Sequence, residues 1–281
     1  FMKGKTVVIT GGTSGIGEVA ALELAQMGAR IVLVARDKPR AEATLARLHR
    51  RGPGLAHTVH YADLMCLAEM KRLAAQIADA EPRIDVLINN AGAMFAARQV
   101  TQDGLERTFA LNHMGYFVVT EGLRERIAAA PGARIVNTAS GAHRGATLDF
   151  DDLQSERSFS ARNAYGRSKL CNILFTRELA RRLEGTGVTA NCLHPGFVAT
   201  RFGDQSGGLL SPMIRLAKFF AISPAEGAKT IVHLASSPEV AGVSGKYFYK
   251  CRETKPSPQA QDDQAALALW QRSAALTGMK A

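Results

Sequence analysis

Lys5-Thr6-Val7-Val8-Ile9-Thr10-Gly11-Gly12-Thr13-Ser14-Gly15-Ile16-Gly17 runs from a strand pattern through a glycine turn into a helix start without a gap. Residues 5–10 form a short, apolar, β-branched run closed by glycine, the pattern of a buried strand. From Glu18 to Gly28 the apolar positions recur with the 3.6-residue period of a helix. The glycines between them permit positive φ and a close approach of backbone to a ligand. The unpaired N–H groups at the helix start and the helix dipole favour an anion at that point. The spacing is G-x-x-x-G-x-G, not the more familiar G-x-G-x-x-G. An ordinary glycine-rich turn would show the same residues, but the flanking strand and helix favour a pyrophosphate cradle formed by Gly11, Thr13, Ser14, Gly15, Ile16 and Gly17.

The pattern repeats outward from this unit. Strand signals recur at 30–35, 57–61, 84–88, 133–138, 188–193 and 245–249, with helical periodicity at 38–51, 67–78, 101–125, 165–183, 224–234 and 261–276. Strands alternating with helices predict a parallel sheet with helices on both faces. The expected architecture is one doubly wound Rossmann-type α/β domain over residues 1–281, seven strands in the order 3-2-1-4-5-6-7. Residues 203–222 mix Gly207-Gly208 with Leu209, Leu210, Met213 and Phe219, an expected lid over an apolar substrate; residues 255–281 form a helical tail.

In such a sheet, ligands sit beyond the carboxyl ends of the strands. The second strand ends at Ala35-Arg36, where an NAD site would carry an acidic residue for the ribose diol; Asp37 follows slightly later. A guanidinium fits a 2′-phosphate, so Arg36 points to NADP(H) in preference to NAD(H). After the third strand, Asp63-Leu64 offers either a partner for an adenine amine or a cap for the helix that follows. The fourth strand runs into Asn89-Asn90-Ala91-Gly92, where the amides can tie strand ends together and Gly92 keeps a cofactor face clear; a plain turn is the alternative. Asn112, inside a helical pattern, is a poor interior residue and needs partners, either a carbonyl at a local kink or a water. Ser140 follows the fifth strand, and Pro195-Gly196-Phe197-Val198-Ala199-Thr200 follows the sixth, both at the same mouth. Tyr165 and Lys169, four apart on a helix, share a face. A positive charge beside a phenol draws its pKa down from about 10 toward the range of a working proton donor. His143 with Asp149, Asp151 and Asp152 lacks metal-ligand spacing and reads as capping or solvated loop.

Composition narrows the function classes. The formal net charge of +10 comes from Arg-rich stretches such as 47–51 and 177–182, without the aromatic interleaving or module of a nucleic-acid binder; an anionic small ligand suits it equally. No stretch reaches the ~18 apolar residues of a membrane span, and a signal-peptide pattern is missing. The four cysteines, Cys66, Cys171, Cys192 and Cys251, are too scattered for a metal or redox pair and fit a reducing, cytoplasmic setting.

Taken together, Thr10-Gly11-x-x-x-Gly15-x-Gly17, Asn89-Asn90-Ala91-Gly92, Asn112, Ser140, Tyr165-x-x-x-Lys169 and Pro195-Gly196 through Thr200 resemble the short-chain dehydrogenase/reductase family, in its order. Leu111-Asn112-His113-Met114-Gly115, Leu193-His194-Pro195-Gly196, Gly245-Lys246-Tyr247-Phe248-Tyr249 and Lys255-Pro256-Ser257-Pro258 are similar to its retinol dehydrogenase branch. Ala139 stands where a serine is more usual, and Gly12-Thr13 where Ala-Ser is common. The resemblance implies an NADP(H)-dependent oxidoreductase moving a hydride between nicotinamide and a carbonyl or alcohol. It assigns Tyr165 as the proton donor, Lys169 to the ribose and the tyrosine, Ser140 to the substrate oxygen and Asn112 to a water relay. It places the cofactor against the glycine turn, Arg36, Asp63, Leu64, Asn90, Ala91, Gly92, Tyr165, Lys169, Pro195, Gly196, Val198 and Thr200, with no metal. It also implies a homodimer or homotetramer pairing through helices near 105–128 and 165–184. The hydrophobic membrane anchor of eukaryotic members has no counterpart in this sequence, which favours a soluble enzyme. Alternatives on the same scaffold are a sugar-nucleotide epimerase, a light-driven tetrapyrrole reductase and a nucleotide-sensing protein without turnover.

Overall fold

The structure, a computed structural model, describes residues 2–196 and 222–280. Strand β1 (Thr6–Thr10) leads through the glycine turn into α1 (Gly15–Gln26), followed by β2 (Arg30–Ala35), α2 (Lys38–Arg51), β3 (Thr58–Tyr61) and α3 (Leu67–Ala80). The chain then returns to the middle of the sheet with β4 (Val86–Asn89), on the other side of β1. A broken helical segment follows: α4 (Arg107–Phe109), a π-helical turn (Ala110–Met114), α5 (Gly115–Gly122) and α6 (Arg124–Ala128). Then come β5 (Arg134–Thr138), the long α7 (Ala161–Arg182), β6 (Thr189–Leu193), α8 (Pro224–Ser236), β7 (Tyr247–Tyr249), β8 (Arg252–Glu253) and α9 (Asp263–Thr277).

The sheet order is β3-β2-β1-β4-β5-β6-β7-β8, all parallel except the last pair. The expected seven strands stand in the expected order, and a short antiparallel eighth extends the edge. Its two residues are exposed and carry no periodic signal, so only their pairing with Phe248 and Tyr249 reveals them. The strands are apolar on both sides because both sides are covered. Val8, Val32 and Val34 face the core under α3, α5 and α7, whereas Val7, Ile9, Ile31 and Leu33 face that under α1 and α8.

Two helix starts differ from the sequence pattern by a full turn or more. The helix expected over 101–125 starts only at Arg107, because Val100 and Glu106 form a bridge and the Glu106 carboxylate accepts the Thr108 and Phe109 N–H groups as a cap. The helix expected from Tyr165 starts one turn earlier, where the Ser160 hydroxyl accepts the Asn163 N–H. Helix α9 lies across α7 and α5. Trp270 is buried, stacked on Phe175 at 5.7 Å and edge-on to Phe117 at 5.1 Å, with the Arg182 guanidinium 4.3 Å from its ring. His113 in the π-turn bonds Ser273 at 2.7 Å.

Candidate active site

Because the chain leaves β1 in one direction and returns to β4 in the other, a crevice opens between their carboxyl ends. Gly11, at φ +66°, makes the turn that left-handed backbone allows. A Cβ at Gly17 would collide with the Gly11 carbonyl and the Asn90 amide, so glycine alone lets α1 start this close to the turn. Ser14 is the N-cap of α1 but makes no side-chain cap bond, which leaves the N–H groups of the first turn facing the crevice without a side-chain acceptor. That cradle fits a pyrophosphate.

Around it the strand ends are braced. The Thr10 hydroxyl accepts the backbone N–H groups of Asn90 (3.0 Å) and Ala91 (3.1 Å). The Asn90 amide donates to the Gly11 carbonyl at 3.1 Å and its oxygen accepts from the Thr138 hydroxyl at 3.2 Å. Asn89 donates to Asn137 and Thr120, each at 2.9 Å. The asparagines therefore hold β1, β4 and β5 in one frame. Arg36 stands past β2 with 57% of its side chain exposed, 3.8 Å from the Asp63 carboxylate. Asp63 does not cap α3: the N-cap is Cys66, without a side-chain bond. The carboxylate instead accepts the Met65 N–H at 3.0 Å, because the chain turns there before the helix begins. Leu64 is buried beside Gly115.

The second half of the site comes from the π-turn, β5 and α7. Asn112, fully buried, sits where the helix widens. Its oxygen accepts the Ala93 N–H at 2.9 Å; its amide donates to the Ala93 carbonyl and the Ser168 hydroxyl, both at 2.9 Å. The expected kink with a carbonyl partner is thus present, and Asn112 is satisfied by protein groups. Ser168 passes the chain on, donating to the Tyr165 carbonyl at 2.7 Å. A Cβ on Gly92 would lie 3.2 Å from Asn112 Oδ1 and 3.3 Å from Lys169 Nζ, so that glycine, the asparagine and the lysine meet at one point. Lys169 is buried, its amine donating to the Thr138 carbonyl at 2.9 Å and lying 5.6 Å from the centroid of the Tyr165 ring. Ser140 opens a 3₁₀ turn (Gly141–His143), its hydroxyl accepting the Ala142 N–H at 3.2 Å. This turn seats directly on α7: a Cβ at Gly166 would lie 2.8 Å from the Ala142 carbonyl.

Burial governs the titration of the pair. It brings the Lys169 amine down to about 7. It pushes the Tyr165 hydroxyl up to about 12, against a hydrogen bond with Ser140 that favours the phenolate. Burial thus raises the tyrosine more than the Ser140 hydrogen bond lowers it, and the Lys169 amine is turned onto the Thr138 carbonyl.

The structure brings Asn112, Ser140, Tyr165 and Lys169 to one end of the crevice and the glycine turn, Asn90, Ala91 and Gly92 to its floor. Arg36 and Asp63 lie at the far end, beyond β2 and β3. Pro195 and Gly196 follow β6, with the Gly196 N–H donating to His194 Nδ1 at 3.1 Å. Val198, Thr200 and the expected lid, apart from Ile222, lie outside the described residues. Sequence reasoning missed Thr138, whose carbonyl collects Lys169, Asn172 (3.2 Å) and Tyr116 (3.3 Å). It also missed Ser168, which links Asn112 to Tyr165. Neither has a local signature, since the donors to that carbonyl come from two helices, α5 and α7, distant from it in sequence. Among the described residues no group of His, Cys, Asp or Glu could hold a metal ion, and no helix is long and apolar enough to cross a membrane.

A family model described as short chain dehydrogenase matches residues 5–207. Human retinol dehydrogenase 14 is 42% identical over 295 residues, spanning 99% of this chain and 88% of that protein. Human retinol dehydrogenase 13 is 42% identical over 286 residues, spanning 99% and 86%. Among solved structures, an uncharacterized protein from Mycobacterium Paratuberculosis superposes with a TM-score of 0.78 at 31% identity, covering 99% of this chain and 95% of its own. The Pseudomonas aeruginosa RhlG/NADP active-site complex superposes with a TM-score of 0.72 at 27% identity, covering 88% and 94%.

Proposed function

The chain belongs to the short-chain dehydrogenase family, and from that premise we propose that it is an NADP(H)-dependent reductase and dehydrogenase, with Tyr165 as its proton donor. It is an oxidoreductase that acts on apolar carbonyl or alcohol substrates with a nicotinamide cofactor. The choice of NADP(H) rests on Arg36, a guanidinium at the end of β2 where a diol-binding carboxylate would stand, and on the NADP complex of a relative of similar fold. The glycine turn and the open first turn of α1 would hold the pyrophosphate, Arg36 the 2′-phosphate, and the backbone at Asp63-Leu64 the adenine edge. Ala91, Gly92, Pro195 and Gly196 line the way to the nicotinamide, with Val198 and Thr200 beyond them in the sequence.

The single observation that carries the mechanism is the convergence of Ser140, Tyr165 and Lys169 beside Asn112 at the mouth of the crevice. When bound, the nicotinamide supplies or takes the hydride. During reduction the Tyr165 hydroxyl gives its proton to the carbonyl oxygen, and Ser140 hydrogen-bonds that oxygen as charge builds on it. Lys169, released from the Thr138 carbonyl, would turn to the ribose and carry positive charge toward the phenolate that results. Asn112 holds the α5 end of that path through Ala93 and Ser168. Oxidation runs the same contacts in reverse.

The homodimer or homotetramer implied by the resemblance would pair through the faces near 105–128 and 165–184. Helix α9 already covers part of both, so pairing there requires surface that α9 leaves open or its displacement. The support for a cytoplasmic setting is that the four cysteines are free, as suits a reducing compartment. The test is NADPH oxidation followed across a panel of aldehydes and ketones, retinal and steroids included, with Tyr165→Phe beside the wild type. Turnover of at least one apolar carbonyl that Y165F abolishes, with NADPH affinity unchanged, is the expected result. Turnover by Y165F at the wild-type rate would remove the tyrosine from the mechanism.

A further inference from the structure

His143 is fully buried, and both of its ring nitrogens are engaged by backbone. Nδ1 lies 2.7 Å from the carbonyl oxygen of Ser140, a group that only accepts, so Nδ1 must carry the proton. Nε2 lies 3.1 Å from the backbone nitrogen of Ser257, a group that only donates, so Nε2 must be bare. The two partners fix the ring as a neutral Nδ1–H tautomer. The ring packs on Tyr247 with centroids 5.1 Å apart and planes inclined at 66°. The neighbouring Arg144 guanidinium donates to the Lys255 carbonyl at 2.9 Å, tying the same turn to the same C-terminal segment. On its other side the turn rests on α7 at Gly166, the residue next to Tyr165. Ser140 thus stands between two fixed bodies, and the imidazole is the spacer on one side. The carboxylates once grouped with His143 have separate uses: Asp149 accepts the Asp151 N–H, and Asp152 the Glu156 N–H.

We propose that His143 is a positioning residue for Ser140: anchored by the Ser257 N–H, its ring holds the Ser140 carbonyl and so sets the serine hydroxyl at the height of the Tyr165 hydroxyl. The inference rests on the reading of Ser140 and Tyr165 as the reacting pair. It makes the segment around 254–257 part of the active-site frame, although that segment touches none of the reacting groups.

Asparagine places its amide nitrogen near the position of Nδ1, and glutamine places its amide group near that of Nε2. H143N therefore keeps the arm to Ser140, H143Q keeps the arm to Ser257, and H143A keeps neither. With 4-nitrobenzaldehyde and NADPH as the probe, kcat of H143N should fall about fivefold, because it keeps the bond to Ser140 but loses the anchor at Ser257, while H143Q and H143A fall about twentyfold or more. The NADPH Kd should be unchanged in all three, and the midpoints of thermal unfolding of H143N and H143Q should drop alike, since each loses one ring bond. A wild-type kcat in either H143N or H143Q, or kcat values that simply follow the unfolding midpoints, would overturn the proposal. A second measurement needs no turnover. The ring ¹⁵N resonances of His143, identified by their loss in H143N, should report the neutral Nδ1–H form at pH 7.5; a charged or Nε2–H ring defeats the proposal. A wild type that leaves every carbonyl untouched yet shows the Nδ1–H ring would sink the proposed function and leave the clamp standing.

Discussion

Replacing Arg36 by Asp should weaken NADPH by about two orders of magnitude and leave NADH nearly untouched. Arg36 sits at the end of β2 with 57% of its side chain in solvent, and among the described residues its ion-pair partner is Asp63, 3.8 Å away. Two unit charges about 4 Å apart in a water-like medium interact by about 1 kcal/mol. A phosphate monoester carries about −1.5 to −2 charges at pH 7, so removing the guanidinium forfeits about 2 kcal/mol. A carboxylate in its place adds repulsion of similar size, about 1–2 kcal/mol once its shorter reach is allowed for. The sum, about 3 kcal/mol, corresponds to a loss of about 150-fold in affinity. NADH has no 2′-phosphate and loses none of this; a carboxylate near the ribose diol is the arrangement of NAD sites. The assay is titration of each cofactor by fluorescence at 0.15 M and 1 M salt. The gap between wild type and R36D for NADPH should narrow at the higher salt, where the screening length falls from about 8 to about 3 Å. An equal loss for NADPH and NADH, or a gap indifferent to salt, would refute the assignment of Arg36 to the phosphate.

Asn112→Asp should make stability fall with rising pH. Its carboxyl would face the Ala93 carbonyl and the Ser168 hydroxyl, whose proton is already given to the Tyr165 carbonyl, so the ionised form has no donor on that side. Burial against these acceptors then outweighs the Lys169 amine that meets the same point, and the folded-state pKa is raised above the unfolded ~3.9. The variant should be near wild type below pH 4 and lose about 2–3 kcal/mol as pH rises through the folded value; urea unfolding at pH 4 and 7.5 checks this, and a constant difference would refute it. Trp270→Ala should cost about 3–5 kcal/mol, because the indole is buried against Phe117 and Phe175 and supports Arg182. An unfolding midpoint within a degree or two of wild type would show that the docking of α9 contributes little.

Much of the architecture could be read from local pattern. Val7-Val8-Ile9 and Ile31-Val32-Leu33 are apolar on successive residues, which only a strand covered on both faces requires, and the glycine turn between β1 and α1 announces the nucleotide end. The residues at the site were equally visible by type: a tyrosine and a lysine four apart, a serine and asparagines at strand ends. Where reading failed, the cause was non-local. The run over 101–125 keeps a helical period, yet Glu106 ties back to Val100 and delays the helix to Arg107, and the π-turn arises because Asn112 is pulled to Ala93 and Ser168, far apart in sequence. The tail's Ser257 gives no hint that it holds His143, 114 positions earlier.

The sequence by itself determined which elements form and in what order, because side-chain periodicity and glycine placement act over a few residues. It also determined which reactive groups are available. The tertiary structure alone decided how those groups behave. Lys169 rests on the Thr138 carbonyl and titrates near 7, and Tyr165 is held at about 12, because burial strips water from both, and burial is a property of everything packed around a residue, near or far along the chain.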